Sequence, residues 1–419
     1  MRSRFYIFLY LIVHTIILLK PPGTQAENPE WMYFHDIKSI YTMAAIDNSI
    51  LISIGDDVID RVIRLNLEDL SIDTIGSYII SSFAKDANGD LWMSSLSEGV
   101  LHYKDGVITE YNTQNSGLPH NQVANITFDK EDNLWCATKN GLAKFDGTDW
   151  EVFRTGGSGE YDNEFHEVKF DTDGSSWQRV LGLRITHFKK GVFTSYDSTN
   201  TGIPALSLPN QIEIDSKGNK WIISGNAYIE QFGGLSKYDN TQWVFYDTEN
   251  TDLQNDHFNS IAIDSNDVVW LGGYYNGLTK FDGTTWSNFI PSNSGISGEG
   301  AYQLCIDKFN NKWMVVYSEL TQETVGLEVF REGGVLLPTN VEELFSKNDE
   351  IIPRLYPNPA SEIITVTDLI KRERKFKISN LYGQTVLEGT FYHEIDISKL
   401  IPGFYFLKVD DFNLKFIKK

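Results

Sequence analysis

Short runs of alternating polar and apolar residues recur along the chain, and this period of two predicts β-strands. In one representative unit, residues 125–129 alternate, residues 134–138 begin a second extended run after a turn, and residues 141–145 and 150–153 flank a loop that contains Gly147. Such a loop is typical of a hairpin, because glycine accepts the positive φ that hairpin turns often need. The pattern therefore predicts a four-stranded antiparallel sheet.

This unit repeats along the chain, and six copies carry an aspartate six positions before a tryptophan. Successive tryptophans of these pairs are 43, 42, 44, 49 and 43 residues apart. Four short strands at this period are typical of a β-propeller blade, and no unit has the apolar stripe that a helical repeat would need. The six pairs are Asp86/Trp92, Asp129/Trp135, Asp171/Trp177, Asp215/Trp221, Asp264/Trp270 and Asp307/Trp313.

The number of blades and the closure of the ring follow from the same pattern. The segment 27–352 has room for about seven units, and residues 40–80 fit a degenerate first blade. Trp31–Phe34 has the Trp-x-x-aromatic pattern of the fourth strands, whereas the last unit has only residues 335–337 at that place. We predict a seven-bladed propeller over residues 27–338, in which the N-terminal segment adds a strand to the last blade and covers two exposed edges.

The first 26 residues predict a cleaved signal peptide. Arg2 and Arg4 precede an apolar run from Phe5 to Leu19, and small residues occupy positions 24 and 26. An uncleaved anchor is the alternative, since a thinned membrane can accommodate a run shorter than the roughly 20 residues that normally cross a bilayer. No later segment could span a membrane, so the mature chain is expected outside the cytoplasm.

Composition and charge narrow the possible functions. The chain has 36 basic and 57 acidic side chains, a formal net charge of −21 and 2 cysteines. An acidic protein lacks the basic face that nucleic acids need, and so few cysteines exclude a disulfide scaffold. Cys136 and Cys305 are interpreted as free core thiols in different blades. The sequence has no phosphate-binding glycine loop, no serine-nucleophile elbow and no His-Glu-x-x-His motif.

The repeated tryptophans and aspartates have structural interpretations. Burying an indole of about 200 Å² is worth at most ~5 kcal/mol, which is reason enough for one tryptophan between adjacent blades. For the tryptophans on the outer strands, a platform that contacts a ligand is the alternative to packing. These residues are Trp150, Trp243 and Trp286. The aspartates fit turns in which the carboxylate bonds nearby backbone. Residues 86–90 and 171–174 also resemble a calcium loop but lack its further ligands, so no cofactor is predicted, with calcium or magnesium as the alternative.

A candidate ligand site lies in the predicted channel, which the first strand of each blade lines. The residue four positions before each aspartate is polar in all six units, and loops entering these strands add His120, His166 and His257. We interpret the polar residues as a ligand site, with hydrogen bonding to channel water and neighbouring backbone as the alternative. These six residues, called the channel polar ring below, are Ser82, Asn125, Glu167, Gln211, Ser260 and Gln303.

A second domain is predicted after a linker at residues 339–352. Residues 353–419 carry 11 basic and 8 acidic side chains, in contrast to the acidic remainder of the chain. Five short strands separated by glycine-containing turns in so short a segment predict a small β-sandwich. These strands are residues 363–366, 375–378, 385–387, 405–409 and 414–417.

The Asp-x-x-Gly/Asp/Asn-x-x-Trp pattern, followed by Gly-Leu-x-Lys-Phe-Asp as at residues 277–282, resembles the repeat of the two-component regulator propellers. The resemblance covers residues 38–337 and implies a ring that senses or binds a ligand. This sequence has no kinase and no membrane helix leading to one, so signalling by phosphotransfer is not expected. At the level of fold alone, the ring also resembles the streptogramin lyases, which use a histidine and a metal-binding glutamate.

The tail has the run Leu-Tyr-Pro-Asn-Pro-Ala at residues 355–360, Asn-Leu-Tyr-Gly at 380–383 and an aromatic-rich strand at 403–409 before two terminal lysines. These motifs resemble the type A sorting domain of the type IX secretion system. The resemblance implies Sec export, passage through the outer membrane, and removal of the tail with surface attachment or release. An adhesive Ig-like domain is the alternative. The residues that carry the resemblance are Pro357, Asn358, Pro359, Gly383, Gly403, Lys418 and Lys419.

The sequence thus predicts an all-β protein, a seven-bladed β-propeller with a small C-terminal Ig-like β-sandwich, that is secreted or held on the outer-membrane surface. The leading hypothesis is a binding protein for an extracellular glycan or peptide, without chemistry of its own. A metal-dependent lyase, a protein scaffold and a sensor with a separate transducer are the alternatives. The expected partners are the type IX secretion machinery and the extracellular ligand.

Overall fold

The chain divides into two compact units, residues 1–339 and residues 340–419. The predicted signal peptide at 1–26 and linker at 339–352 lie outside the residues that the computed structural model describes. In the first unit it describes residues 30–34, 37, 39–55, 60–157, 162–181, 184–203, 209–226, 229–273, 275, 277–318 and 323–337. In the second unit it describes residues 354–356, 363–367, 374–380, 384–391, 394–409 and 412–419.

Seven four-stranded antiparallel sheets make up the described part of the first unit. In chain order the strands are β1 (Trp31–Phe34), β2 (Ile40–Ile46), β3 (Ser49–Gly55), β4 (Asp60–Asn66), β5 (Ile72–Gly76), β6 (Ser82–Lys85), β7 (Leu91–Ser94), β8 (Val100–Lys104), β9 (Val107–Tyr111), β10 (Val123–Phe128), β11 (Leu134–Thr138), β12 (Gly141–Phe145), β13 (Trp150–Phe153), β14 (Phe165–Phe170), β15 (Ser176–Val180), β16 (Arg184–Lys189), β17 (Val192–Tyr196), β18 (Pro209–Ile214), β19 (Lys220–Asn226), β20 (Ile229–Tyr238), β21 (Trp243–Tyr246), β22 (Ser260–Ile263), β23 (Val269–Gly272), β24 (Leu278–Phe281), β25 (Trp286–Phe289), β26 (Gly300–Ile306), β27 (Lys312–Ser318) and β28 (Glu323–Phe330). A single helical turn, α1 (Ser198–Thr201), lies between β17 and β18. The fold is an all-β propeller, as the repeat predicts.

Six of the sheets are formed by four consecutive strands, from β2–β5 to β22–β25. In the sheet of the representative unit, Phe128 on β10 lies opposite Leu134 on β11, and Phe145 on β12 lies opposite Trp150 on β13. The hairpin between β12 and β13 is held by Asp146, whose carboxylate accepts the backbone N–H groups of the third and fourth loop residues. Local turn chemistry therefore sets the order of strands within a sheet.

The seventh sheet joins the two ends of the first unit. It has the order β1-β28-β27-β26, with Trp31 opposite Phe330 and Phe34 opposite Leu327. The rings of Trp31 and Phe330 stack with centroids 4.4 Å apart. This pairing confirms the N-terminal strand predicted from Trp31–Phe34, and it covers an edge that would otherwise be open.

The core of the first unit lies between neighbouring sheets. The tryptophans of the six Asp/Trp pairs are at most 6% exposed, and several contact an aromatic ring of the next sheet. Trp135 lies 5.5 Å from Phe170 between ring centroids, and Trp221 lies 6.1 Å from Phe281. Large indoles thus fill the wedge-shaped space between adjacent sheets, which stabilises their radial arrangement.

The second unit has two antiparallel sheets with a common core. Its strands are β29 (Arg354–Tyr356), β30 (Ile363–Thr367), β31 (Arg374–Ser379), β32 (Thr385–Phe391), β33 (Glu394–Asp396), β34 (Gly403–Val409) and β35 (Phe412–Lys418). The sheet β29-β30-β33 contributes Ile364 and Ile395 to the same apolar cluster as Ile378 and Leu407 of the sheet β32-β31-β34-β35. The five predicted strands are present, and β29 and β33 are additional to them.

Part of the sorting motif falls on described residues. Gly403 begins β34, Lys418 ends β35 and Lys419 follows it, whereas Pro357, Asn358, Pro359 and Gly383 lie outside the described residues. In the part of the chain that is described, we find no helix with the length and hydropathy needed to cross a membrane.

Candidate functional site

A cavity of about 900 Å³ lies at the centre of the first unit, among the innermost strands of all seven sheets. These strands are β2, β6, β10, β14, β18, β22 and β26. All six members of the channel polar ring line the cavity, as does Thr42 on β2. Thr42 follows the same shift of register that precedes Asn125 and Glu167, so the first sheet contributes an equivalent position.

The channel polar ring links neighbouring sheets at six of the seven junctions between them. Asn125 Oδ1 accepts the backbone N–H of Val168 at 3.1 Å, and Glu167 Oε2 accepts that of Ile212 at 2.9 Å. The same bond runs from Ile126 to Ser82 at 3.5 Å, from Ile261 to Gln211 at 3.0 Å and from Leu304 to Ser260 at 3.0 Å. Gln303 Nε2 donates to the backbone oxygen of Tyr41 at 2.7 Å.

These bonds give the channel polar ring a structural role. Backbone groups at the inner edge of a sheet need partners, and the side chains supply them across the gap between sheets. This is the alternative weighed in the sequence analysis, in which the polar residues bind neighbouring backbone. Most acceptor atoms of the channel polar ring already accept a backbone N–H. Its role in ligand binding therefore remains a prediction.

The three histidines are not brought together. His166 lines the cavity, whereas His120 and His257 are not among its lining residues. His166 Nε2 lies 3.3 Å from Glu164 Oε1, and burial, with a smaller contribution from Arg179, lowers the pKa of His166 below its usual range. His120 Nδ1 accepts the backbone N–H of Gln122 at 2.9 Å, so it serves a local turn.

Charged side chains that the sequence analysis did not single out also line the cavity. Lys169 Nζ lies 2.7 Å from Glu213 Oε1 and 4.0 Å from Glu167 Oε1. Arg179 on β15 lies opposite Glu167 in the strand register. Glu167, Lys169, Arg179 and Glu213 are called the charged channel cluster below. All four lie in the two adjacent sheets β14–β17 and β18–β21.

Departure from the repeat is the signal that could have found this cluster. Two positions after each residue of the polar ring, Lys169 and Glu213 stand where the other units have small residues. Two positions after each repeated tryptophan, Arg179 stands where other units have a short or aliphatic residue. The residues at these two places in the other units are Ala84, Thr127, Ala262 and Cys305, and Ser94, Ala137, Ile223, Gly272 and Val315.

Burial and mutual attraction set the charges of the cluster. Burial raises the pKa of Glu167 to about 7, although Lys169 and Arg179 oppose the rise. Burial alone would lower the pKa of Lys169, but the attraction of Glu213 and Glu167 outweighs it and raises that pKa. Lys169 therefore stays charged at neutral pH, whereas Glu167 exchanges its proton near pH 7.

The repeated aspartates are occupied by the turns that contain them. In five of the six pairs the carboxylate Oδ2 accepts the indole N–H of its tryptophan at 2.8 to 3.1 Å. The other carboxylate oxygen accepts backbone N–H groups of the same turn, as Asp307 Oδ1 does from Phe309 and Asn311. In the remaining pair, Asp171 instead forms an ion pair with the fully buried Lys220. The indole nitrogen of Trp177 has no partner there.

Burial excludes the repeated tryptophans from direct contact with a ligand, and Trp270 is the clearest example. It is 0% exposed and does not line the cavity. Its indole N–H donates to Asp264 Oδ2 at 3.1 Å, and its ring centroid lies 5.9 Å from that of Phe330 in the seventh sheet. The Lys312 ammonium lies 4.6 Å from the same ring. Trp270 is therefore a core residue between two sheets and not part of a binding surface.

Among the described residues, one group of three side chains has donor atoms close enough to share a metal ion, namely Asp86, Asp90 and His102. Asp86 already accepts the backbone N–H groups of Asn88 and Asp90 and the indole N–H of Trp92. Lys104 Nζ lies 2.6 Å from the Asp90 carboxylate. The bonds within the turn and the ammonium of Lys104 explain why these side chains lie together. The arrangement therefore lends no weight to a calcium or magnesium site.

The tail matches a known family. Residues 354–419 match the secretion system C-terminal sorting domain, and the tail is thus a sorting domain of the kind the motifs indicated. No curated protein has a significant match to the chain.

Several solved structures share the fold at low sequence identity. PorZ, a surface component of the type-IX secretion system of Porphyromonas gingivalis, has a TM-score of 0.54 and 14% identity over 91% of this chain and 59% of its own. The extracellular domain of a hybrid two-component system of Bacteroides thetaiotaomicron has a TM-score of 0.54 and 15% identity over 93% of this chain and 57% of its own. Virginiamycin B lyase of Staphylococcus aureus has a TM-score of 0.53 and 11% identity, covering 70% of this chain and 95% of the lyase.

These likenesses show the β-propeller fold. The chain spans less than two thirds of the length of the first two proteins. The sorting tail supports a secreted or cell-surface protein, which agrees with the localisation predicted from the sequence.

Proposed function

We propose that this protein is a binding protein exported by the Sec and type IX pathways, whose propeller channel holds an extracellular glycan or peptide. The observation that carries the proposal is the combination of a secretion sorting tail with a polar central cavity of about 900 Å³. A cavity of that size accommodates a small ligand or the end of a larger one.

We further propose a closed ring of seven blades at residues 27–338 and an Ig-like tail at 353–419, joined by the linker at 339–352. Seven four-stranded sheets and the pairing of β1 with β28 support the ring. Two sheets around one apolar cluster support the sandwich form of the tail. In this proposal the ring carries the binding function and the tail carries the address.

The sorting role of the tail is tested by removing residues 353–419. The ring is then expected to collect in the periplasm, because Sec export does not depend on the tail. As the control, residues 339–419 fused to a periplasmic reporter should take the reporter to the surface or the medium. Unaltered surface display of the truncated chain would overturn the sorting role of the tail. Failure of the fusion to leave the periplasm would show that the tail directs secretion only together with the propeller.

Binding is tested by a thermal-shift screen of the purified chain against polysaccharides and peptides, with and without divalent metal. A shift with a glycan or peptide supports the binding protein, and no shift with any of them overturns it. A ligand that is cleaved or that binds only with metal would instead favour the lyase. A shift seen only with a whole partner protein would favour the scaffold or the sensor.

A further inference from the structure

The charged channel cluster contains a guanidinium, that of Arg179, without a hydrogen-bond partner in the described part of the chain. Arg179 is half-buried and lines the cavity. It makes no hydrogen bond or ion pair with any described residue, and its Nε is buried without an acceptor. Donors of a charged group that are removed from water and left unpaired cost free energy. A packing role therefore does not account for the position of this side chain.

Arg179 also reaches the channel from an unusual place. It belongs to β15, a second strand, whereas every other described lining residue lies on an innermost strand or directly before one. In the other units the equivalent position is short or aliphatic, as with Ala137 and Gly272. This one sheet thus places a long cationic side chain past its innermost strand and into the cavity.

The neighbouring charged groups attract Arg179 but make no hydrogen bond to it. The ammonium of Lys169 is bound to Glu213 at 2.7 Å, and Glu167 Oε2 holds the backbone N–H of Ile212 at 2.9 Å. Each of these groups has its hydrogen-bond partner already, so Arg179 is the member of the cluster whose hydrogen-bond donors stay available, although Glu167 attracts it. An available guanidinium at a cavity wall is a binding group for a planar anion.

We propose that Arg179 binds the carboxylate of a small acidic ligand in the channel. This inference rests on the proposed binding function and deepens it by naming the ligand chemistry. The guanidinium fork matches a carboxylate with two parallel hydrogen bonds, and a cavity of about 900 Å³ has room for an acidic sugar or an acidic amino-acid derivative. Both sources offer the same carboxylate.

Glu167 couples this binding to pH. The groups that face it are Lys169 on its own strand, Arg179 on β15, and Glu213 and the Ile212 N–H on β18. Its pKa of about 7 means that a second carboxylate nearby favours its protonated form. Ligand binding then takes up a proton, and the affinity should fall as the pH rises through 7.

The test is a calorimetric titration of the full chain with two matched pairs of probes. Galacturonate is compared with galactose, and N-acetylglutamate with N-acetylglutamine. We expect at least one acidic probe to bind at least tenfold more tightly than its neutral counterpart, and the pair that shows the difference identifies the source of the carboxylate. Arg179→Gln should weaken the acidic probe at least tenfold, and Arg179→Lys should weaken it less.

Lys85→Gln is the control variant, because Lys85 also lines the cavity but its ammonium already lies 2.5 Å from Asp47. That variant should bind as the unmodified chain does. The inference is overturned if acidic and neutral probes bind equally, or if Arg179→Gln keeps its affinity. In either case a glycan or peptide found in the screen would leave the proposed function standing. Should Arg179→Gln fail to fold, full affinity in Arg179→Lys would overturn the inference, since a single ammonium cannot form the paired bonds.

Discussion

The bond between aspartate and indole, present in five of the six pairs, is a measurable part of the stability of the first unit. Asp307 is the clearest case, because it is 5% exposed and its partners Trp313 and Asn311 are fully buried. Its Oδ2 accepts the indole N–H at 2.8 Å and the Asn311 side-chain amide at 2.7 Å. Asp307→Asn keeps an oxygen for the backbone N–H groups but turns an amide nitrogen toward these two donors.

The expected magnitude follows from these contacts. A hydrogen bond to a charged group contributes about 1.5–3 kcal/mol. In a double-mutant cycle of Asp307→Asn and Trp313→Phe, the lost indole bond should appear as a coupling free energy of about 2 kcal/mol. The packing cost of replacing the indole cancels in such a cycle.

The assay is urea unfolding followed by tryptophan fluorescence. All ten tryptophans lie between Trp31 and Trp313, so the signal reports the first unit and not the tail. The control cycle combines Asp307→Asn with Trp177→Phe, because Trp177 lies in another sheet and its indole nitrogen has no partner. Distant sites are additive to within about 0.5 kcal/mol. A coupling no larger than this between Asp307 and Trp313 would refute the reasoning.

Three further predictions follow from other sites. The pKa of Glu167 in the fold is about 7, above the ordinary 4.5, so the free energy of unfolding should decrease between about pH 4.5 and 7 and then level off. Glu167→Gln should remove about 3 kcal/mol of that decrease, as measured by urea unfolding at a series of pH values. Gly272→Ala should destabilise the first unit by about 3 kcal/mol or more in urea, because its Cβ would lie 1.8 Å from the Ala301 backbone oxygen. Gly76→Ala in the same unit should cost far less, because its Cβ would meet only side-chain atoms, at 3.2 Å. Deleting residues 27–36 should lower the calorimetric melting temperature, since β1 pairs with β28; an unchanged melting temperature would contradict the closure.

The sequence predicts well what repeats. Aspartate and tryptophan at a fixed spacing indicate six of the seven sheets, since a turn residue and a large apolar residue serve the same purpose in each of those units. The position of Gln211 and its equivalents at the channel follows from the same alternation. The bond from carboxylate to indole was not anticipated, because the turn alone accounted for an aspartate such as Asp215.

What departs from the repeat was harder to predict. Arg179 and Lys169 face a cavity that seven distant strands form together, and in the sequence they are marked only by their difference from the residues at the equivalent positions of the other units. The bond by which His120 holds its own turn could not be predicted either, because it depends on the local backbone conformation. In the tail, β29 and β33 are three residues long, too short for alternation to be visible.

The contact between Trp31 and Phe330 has a consequence for biosynthesis. Two residues about 300 positions apart in the chain must meet before the seventh sheet is complete, and such distant pairings form slowly. The ribosome has to synthesise nearly the whole first unit before β1 can pair with β28. Until then β1 has no strand to pair with and Trp31 has no ring to stack on, so this sheet is the last of the seven that can be completed.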